Sequence, residues 1–285
     1  MHVQTIFRTI SFMRYAIILS LLAAFTSCSE KAAKEVARQV EAAVSEAQEK
    51  SRQQSSVADG CLLPASADET LLRRVAYTAN YNEETRQPDW VAWELTKEET
   101  RGEHNRQGIN FQEDYAVSGR RATASDYSRS GYDRGHMCPS ADCKWSADAQ
   151  QQSFLLTNIC PQDRELNAGA WNDLEQLCRK WARRYGCLHI VCGPVFYDDK
   201  ATGRKTIGRN KIAVPDAFFK VVYRPGNDPQ AIGFIYANHS QYQSLSDARR
   251  TVDEIERITG FDFYHQLPDN IENKVEAAFD EGEWR

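Results

Sequence analysis

Between Ser130 and Glu175 the chain collects residue types that could hydrolyse a phosphodiester: Arg134, His136, Asn158, Asn167 and Glu175. Imidazole titrates near neutral pH and can take a proton from water, which makes His136 the candidate general base. It closes the run Asp133-Arg134-Gly135-His136, where Gly135 permits the close backbone approach of a tight turn or bulge. Arg134 can fork two hydrogen bonds onto phosphate oxygens. Its alternative is a structural salt bridge with Asp133 or Asp126.

The pattern from Asp163 to Arg184 predicts one helix, with Leu166, Ala170, Leu174, Leu177, Cys178 and Trp181 on its apolar face. Asn167, Trp171 and Glu175 follow at four-residue steps along an adjacent stripe. Glu175 then lies two turns, about 12 Å in rise, beyond Asn167. The two look the same way but cannot complete the inner shell of one small ion together. Mg²⁺ suits such a pair because it keeps several waters and takes few protein oxygens, with Mn²⁺ as a substitute. Asn167 is the candidate direct metal ligand, and Glu175 the residue that reaches a coordinated water. Otherwise Asn167 would cap the helix and Glu175 would pair with Arg179.

These residues need a frame. Strand candidates are Val75–Tyr77, Trp90–Leu95, Leu188–Cys192, Ala217–Tyr223 and Ala231–Ala237, the last two joined by the turn sequence Pro225-Gly226-Asn227-Asp228. Residues 97–129 are polar and read as a long loop, a length that usually serves function. Ser246 is positioned to cap a helix running to Ile258 and ended by Gly260, and a last short helix is expected near Asn270–Phe279. Hairpin-linked strands with helices in separate runs give an α+β fold, a mainly antiparallel central sheet flanked by helices.

Charge is nearly balanced, 35 Lys and Arg against 40 Asp and Glu for a formal −5. That total argues mildly against a nucleic-acid binder, but it hides a gradient. Residues 164–211 hold about ten basic and five acidic side chains, whereas 251–285 hold about three and ten. A local basic strip suffices for an enzyme that must release its product.

At the other end, Met13-Arg14 precedes an apolar run from Tyr15 to Phe25 and then Thr26-Ser27-Cys28. The run is shorter than the ~20 residues of a membrane-spanning helix. Small residues directly before Cys28 resemble the bacterial lipoprotein signal, so residues 1–28 are expected to be a lipoprotein-type signal peptide, with Cys28 lipidated as a membrane anchor and the protein exported to a periplasmic or cell-surface position; an uncleaved signal anchor is the alternative. Residues 29–58, with valines at 36, 40 and 44 among charges, read as a helical linker or stalk, and 59–285 as the catalytic domain. Of eight cysteines, seven then remain, and export predicts disulfides among them. The spacings Cys138/Cys143 and Cys187/Cys192 are wider than those of structural zinc pairs.

The central stretch resembles the DNA/RNA non-specific endonuclease family, the sugar-non-specific nucleases of ββα-metal type. The resemblance is carried by Asp126–Tyr132, Asp133-Arg134-Gly135-His136, Phe154–Ile159, Pro161-Gln162, Leu166-Asn167, Trp171 and Leu174-Glu175. A weaker likeness extends from Tyr77 to Phe261. It implies His136 as general base, Asn167 as the single direct Mg²⁺ ligand, Arg134 on the phosphate, Glu175 in the outer shell of the metal and Asn158 as a support. It also implies an upstream phosphate-binding arginine, for which Arg106, Arg120 and Arg121 compete, with Arg106 taken as the candidate. The expected activity is Mg²⁺-dependent hydrolysis of DNA and RNA to 5′-phosphate products. A catalytically weak, nucleic-acid-binding surface lipoprotein is the alternative.

Overall fold

Runs rich in apolar and β-branched residues build seven strands that pair antiparallel throughout. In spatial order they are β1 (Leu71–Arg73), β2 (Thr78–Asn82), β3 (Gln87–Thr96), β6 (Cys187–Val195), β9 (Ala217–Arg224), β10 (Gln230–Ala237) and β11 (Arg249–Arg250). The computed structural model describes residues 62–65, 70–197 and 203–285. The expected signal peptide and stalk, with Cys28, lie outside those residues. Two short ribbons complete the strands: β4 (Asp133–His136) with β5 (Ile159–Gln162), and β7 (Thr206–Ile207) with β8 (Ile212–Ala213).

Both faces of the sheet are covered, which is why strands β3, β6 and β9 carry apolar residues on both parities. Val91, Trp93, Leu188, Ile190, Phe218 and Val222 face one core with Trp171, Leu174, Cys178 and Trp181 of α3 (Ala170–Tyr185). Trp90, Ala92, Val191, Phe219, Val221 and Tyr223 face the other, against Val252 and Ile255 of α5 (Val252–Thr259) and Val275 of α6 (Asp269–Ala277). Two smaller helices, α1 (Ala147–Gln152) and α2 (Arg164–Ala168), precede α3, and α4 (Leu245–Ala248) precedes α5.

The expected sheet and its β9–β10 hairpin are present, and the fold is α+β. Four expectations are corrected. Val75–Tyr77 is the connection between β1 and β2, where the Arg74 amide donates to the Tyr77 carbonyl. The single helix over 163–184 is two helices broken at Gly169, whose φ of −103° and ψ of −111° leave the helical region; a Cβ there would stand 2.6 Å from the Glu165 carbonyl oxygen, so the break requires glycine. The helix over 246–258 is likewise α4 and α5, capped separately by Ser244 and Thr251, with β11 between them. Finally, the six described cysteines are free thiols. Even Cys138 and Cys143 hold their sulfurs 3.7 Å apart, well beyond a bonded pair.

Candidate active site

The ribbon β4–β5 and the helices α2 and α3 that follow it form a ββα unit around a cleft of about 760 Å³. Gly135 lets the ribbon close, since any Cβ at that position would collide with the side chain of Gln162, its diagonal neighbour on β5. Arg134 and His136 flank it and both line the cleft. Asn167 from α2 and Glu175 from α3 line the same cleft, as do Arg106 and Phe111 from the long loop. Five of the six candidate residues therefore converge; Asn158 does not.

Asn158 is fully buried beneath the site. Its Oδ1 accepts from the Cys138 amide at 2.9 Å, and its Nδ2 donates to the carbonyls of Cys138 and Ser153, both at 2.9 Å. It ties down the chain that leaves β4 directly after His136 and does not line the cleft.

His136 is wedged between aromatic rings, 5.3 Å from Phe111 and 5.0 Å edge-on from Phe154. Burial, reinforced by the Arg106 charge, pushes its pKa down to about 3, so the imidazole is neutral and able to accept a proton. Its Nε2 has no hydrogen-bond partner. Arg134 makes no salt bridge with Asp133 or Asp126 among the described residues. Its guanidinium instead donates to the Ala124 carbonyl at 2.7 Å and packs over Phe111 and Tyr127. Arg106 stacks over Phe154 at the cleft, whereas Arg121 is held by Glu113 and Tyr115 away from it.

Asn167 is not a helix cap: Asp163 fills that role for α2 through Glu165 and Leu166. The Asn167 amide nitrogen donates to Asp133 Oδ2 at 3.1 Å, which commits the nitrogen and leaves the carbonyl oxygen for the cleft. Glu175 is not paired with Arg179, which binds Asp142 at 2.8 Å. Burial raises the Glu175 pKa to about 7, against the opposing charge of Lys220. Lys220 is completely buried on β9, its ammonium 4.4 Å from the Trp171 ring and 5.2 Å from that of Trp93, with no hydrogen-bond partner. Trp171, expected on the stripe with Asn167 and Glu175, lies in the core.

Asp133, Asp142 and Lys220 were not legible in the sequence as residues of the site. A lysine in the middle of an otherwise apolar strand, Phe219-Lys220-Val221, was the available signal for one of them. Beyond the cleft, Lys180 and Arg183 line a groove that shares Asn172 and Arg179 with it, so a basic strip continues along α3.

The ββα unit thus gathers a neutral histidine, an arginine and an amide oxygen in one cleft beside an antiparallel sheet, as the resemblance to the endonuclease family implies. Sequence comparison agrees: residues 58–270 match the DNA/RNA non-specific endonuclease family, and the chain belongs to it. Bovine mitochondrial endonuclease G is 40% identical over 159 residues, 53% of each chain. A nuclease of Nostoc sp. is 33% identical over 226 residues, 75% of this chain and 80% of the relative. A crystal structure of the EndoG/EndoGI complex superposes with a TM-score of 0.66 at 26% identity, covering 71% of this chain and 89% of the other. The chain spans about half the length of the mammalian endonuclease G relatives, 53% of the bovine and 54% of the human protein.

Proposed function

We propose that the protein is an Mg²⁺-dependent endonuclease hydrolysing phosphodiester bonds in DNA and RNA, with His136 as general base. The observation that carries this reading is the convergence of His136 and Arg134 with Asn167 and Glu175 on one cleft. The apolar run before Cys28 supports export and a lipid anchor there.

The donor set fits a hard divalent cation. Asn167 offers a carbonyl oxygen whose orientation is fixed by Asp133, and Glu175 offers a carboxylate in the same cleft; oxygen-only donors of this number suit hydrated Mg²⁺. When bound, the ion would neutralise charge on the phosphate and on the departing 3′-oxygen.

The rest falls to side chains. His136, kept neutral by burial, takes a proton from the water that attacks phosphorus, and the cleavage leaves a 5′-phosphate. Arg134, splinted by Ala124 and two aromatic rings, holds phosphate oxygens without having to be ordered on binding. Arg106 adds charge at the mouth. Contacts of this kind read phosphates and not bases, so sequence preference should be weak and binding salt-dependent.

The test uses protein lacking residues 1–28 with plasmid, single-stranded DNA and RNA, in Mg²⁺ or EDTA. Cleavage of all three that needs the metal and is lost in His136→Ala is expected. Activity that ignores EDTA or survives the substitution would overturn the mechanism.

A further inference from the structure

On the sheet face opposite α3, three unlike side chains converge. Glu94 of β3 stands directly across from His189 of β6, and Cys187 lies two residues earlier on the same face of β6. One ligand atom of each falls within 4.8 Å of the others. His189 Nε2 is 4.0 Å from Glu94 Oε2, and the Cys187 sulfur lies within 4.8 Å of a ligand atom of each. We propose that Glu94, Cys187 and His189 form a binding site for a thiophilic divalent cation, Zn²⁺ in the first place, separate from the catalytic cleft.

The ligand chemistry sets the choice. A thiolate, an imidazole and a carboxylate are the donors Zn²⁺ takes, whereas Mg²⁺ and Ca²⁺ want oxygens only. Tetrahedral Zn²⁺, with bonds of about 2.0–2.3 Å, sets neighbouring donors about 3.3–3.8 Å apart. The observed 4.0 Å between His189 and Glu94 needs only a small rotamer change. Two of the three residues sit across from each other in the ladder of central strands, so the backbone of the site is preformed. His189 Nδ1 has no partner, and burial holds the ring neutral by lowering its pKa to about 4. All three residues are only partly to largely buried, which leaves a fourth position open to water. Binding would release the Cys187 proton to solvent, reversing the upward push that burial and the Glu94 and Glu99 carboxylates give that thiol. The wide Cys187/Cys192 spacing did not suggest this site, and strand parity explains why. The two cysteines face opposite sides of β6, and the partners of Cys187 come from His189 and the neighbouring strand.

Co²⁺ is the probe. Metal-stripped protein titrated with Co²⁺ should develop, at one equivalent, the near-ultraviolet thiolate charge-transfer band and the intense visible bands of a tetrahedral site, and Zn²⁺ should displace them. Asn167→Ala should keep both features, because the cleft offers no thiolate. Cys187→Ser, at a half-buried position, should lose the charge-transfer band. Glu94→Gln should weaken Zn²⁺ by more than the roughly tenfold that loss of an outer partner costs. Absence of the band in the wild type, or its persistence in Cys187→Ser, overturns the proposal.

Discussion

The amide nitrogen of Asn167 donates to Asp133 Oδ2 at 3.1 Å, linking α2 to the first residue of β4 across the cleft. In the proposed metal site this bond would decide which end of a symmetric-looking amide meets the ion. An Asn whose nitrogen is committed can offer only its oxygen, and an outer partner of this kind commonly governs ten- to hundredfold in metal affinity.

Asp133→Ala should therefore raise the Mg²⁺ concentration for half-maximal cleavage about ten- to hundredfold while leaving the rate at saturating Mg²⁺ within a few-fold of the wild type. A Mg²⁺ titration of plasmid cleavage reads this directly. An unchanged midpoint would mean that Asp133 does not orient Asn167.

His136 should set the low-pH behaviour. Its pKa is depressed to about 3 from the ordinary 6.5, chiefly by burial, so the base is unprotonated well below neutrality. At saturating Mg²⁺, kcat/KM should stay level from about pH 8 down through 6.5 and fall only further into acid. His136→Ala should cost about 10²–10⁴-fold in kcat with DNA binding retained, measured in EDTA by a fluorescence titration.

How much of this was legible beforehand differs by element. The β9–β10 hairpin and the antiparallel sheet were readable because their signal is local: β-branched and aromatic residues and a Pro-Gly-Asn-Asp turn; that both faces of the sheet are covered was not, since the alternation in Trp90–Leu95 suits a sheet with one face buried. The cleft residues were readable as a set because they lie close in sequence, Arg134 and His136 two apart and Asn167 and Glu175 eight apart, although the expected turn at 133–136 is strand β4 and the expected single helix is two. What the sequence could not carry was contact across distance. Asp133 meets Asn167 34 residues away, and Arg179 meets Asp142 across 37. The break at Gly169 also escaped, since the apolar pattern runs through it and only the crowding against Glu165 requires it.

Glu175 and Lys220 should behave as a coupled pair. With burial raising Glu175 to about 7, the protein is partly protonated there at neutral pH, and Mg²⁺ bound as proposed would have to expel that proton. Apparent Mg²⁺ affinity should thus fall as pH drops below 7, approaching tenfold per unit for one coupled proton. Lys220→Met, which removes the opposing positive charge without emptying the site between Trp93 and Trp171, should move that fall to higher pH. Isothermal titration with Mg²⁺ at several pH values tests both, and a pH-independent affinity would remove Glu175 from the metal site.

Glu276 offers a stability test far from the chemistry. It is buried on α6, one carboxylate oxygen has no hydrogen-bond partner, and Asp253 and Glu256 crowd it. Burial first, then Glu256, Glu272, Asp253 and Asp262, raise its pKa from 4.5 to about 9. The folded state therefore holds a proton that the unfolded chain releases. The stability this contributes is full below 4.5 and drains away as pH climbs toward 9. Glu276→Gln keeps the shape and discards the titration, so its Tm should exceed the wild-type value increasingly from about pH 5 to pH 9, by roughly 2–4 °C for each kcal/mol relieved in a domain of this size. Thermal melts of the two proteins in matched buffers across that range decide it. Parallel Tm–pH curves would mean that Glu276 titrates normally and that the crowding of carboxylates between α5 and α6 is relieved in solution.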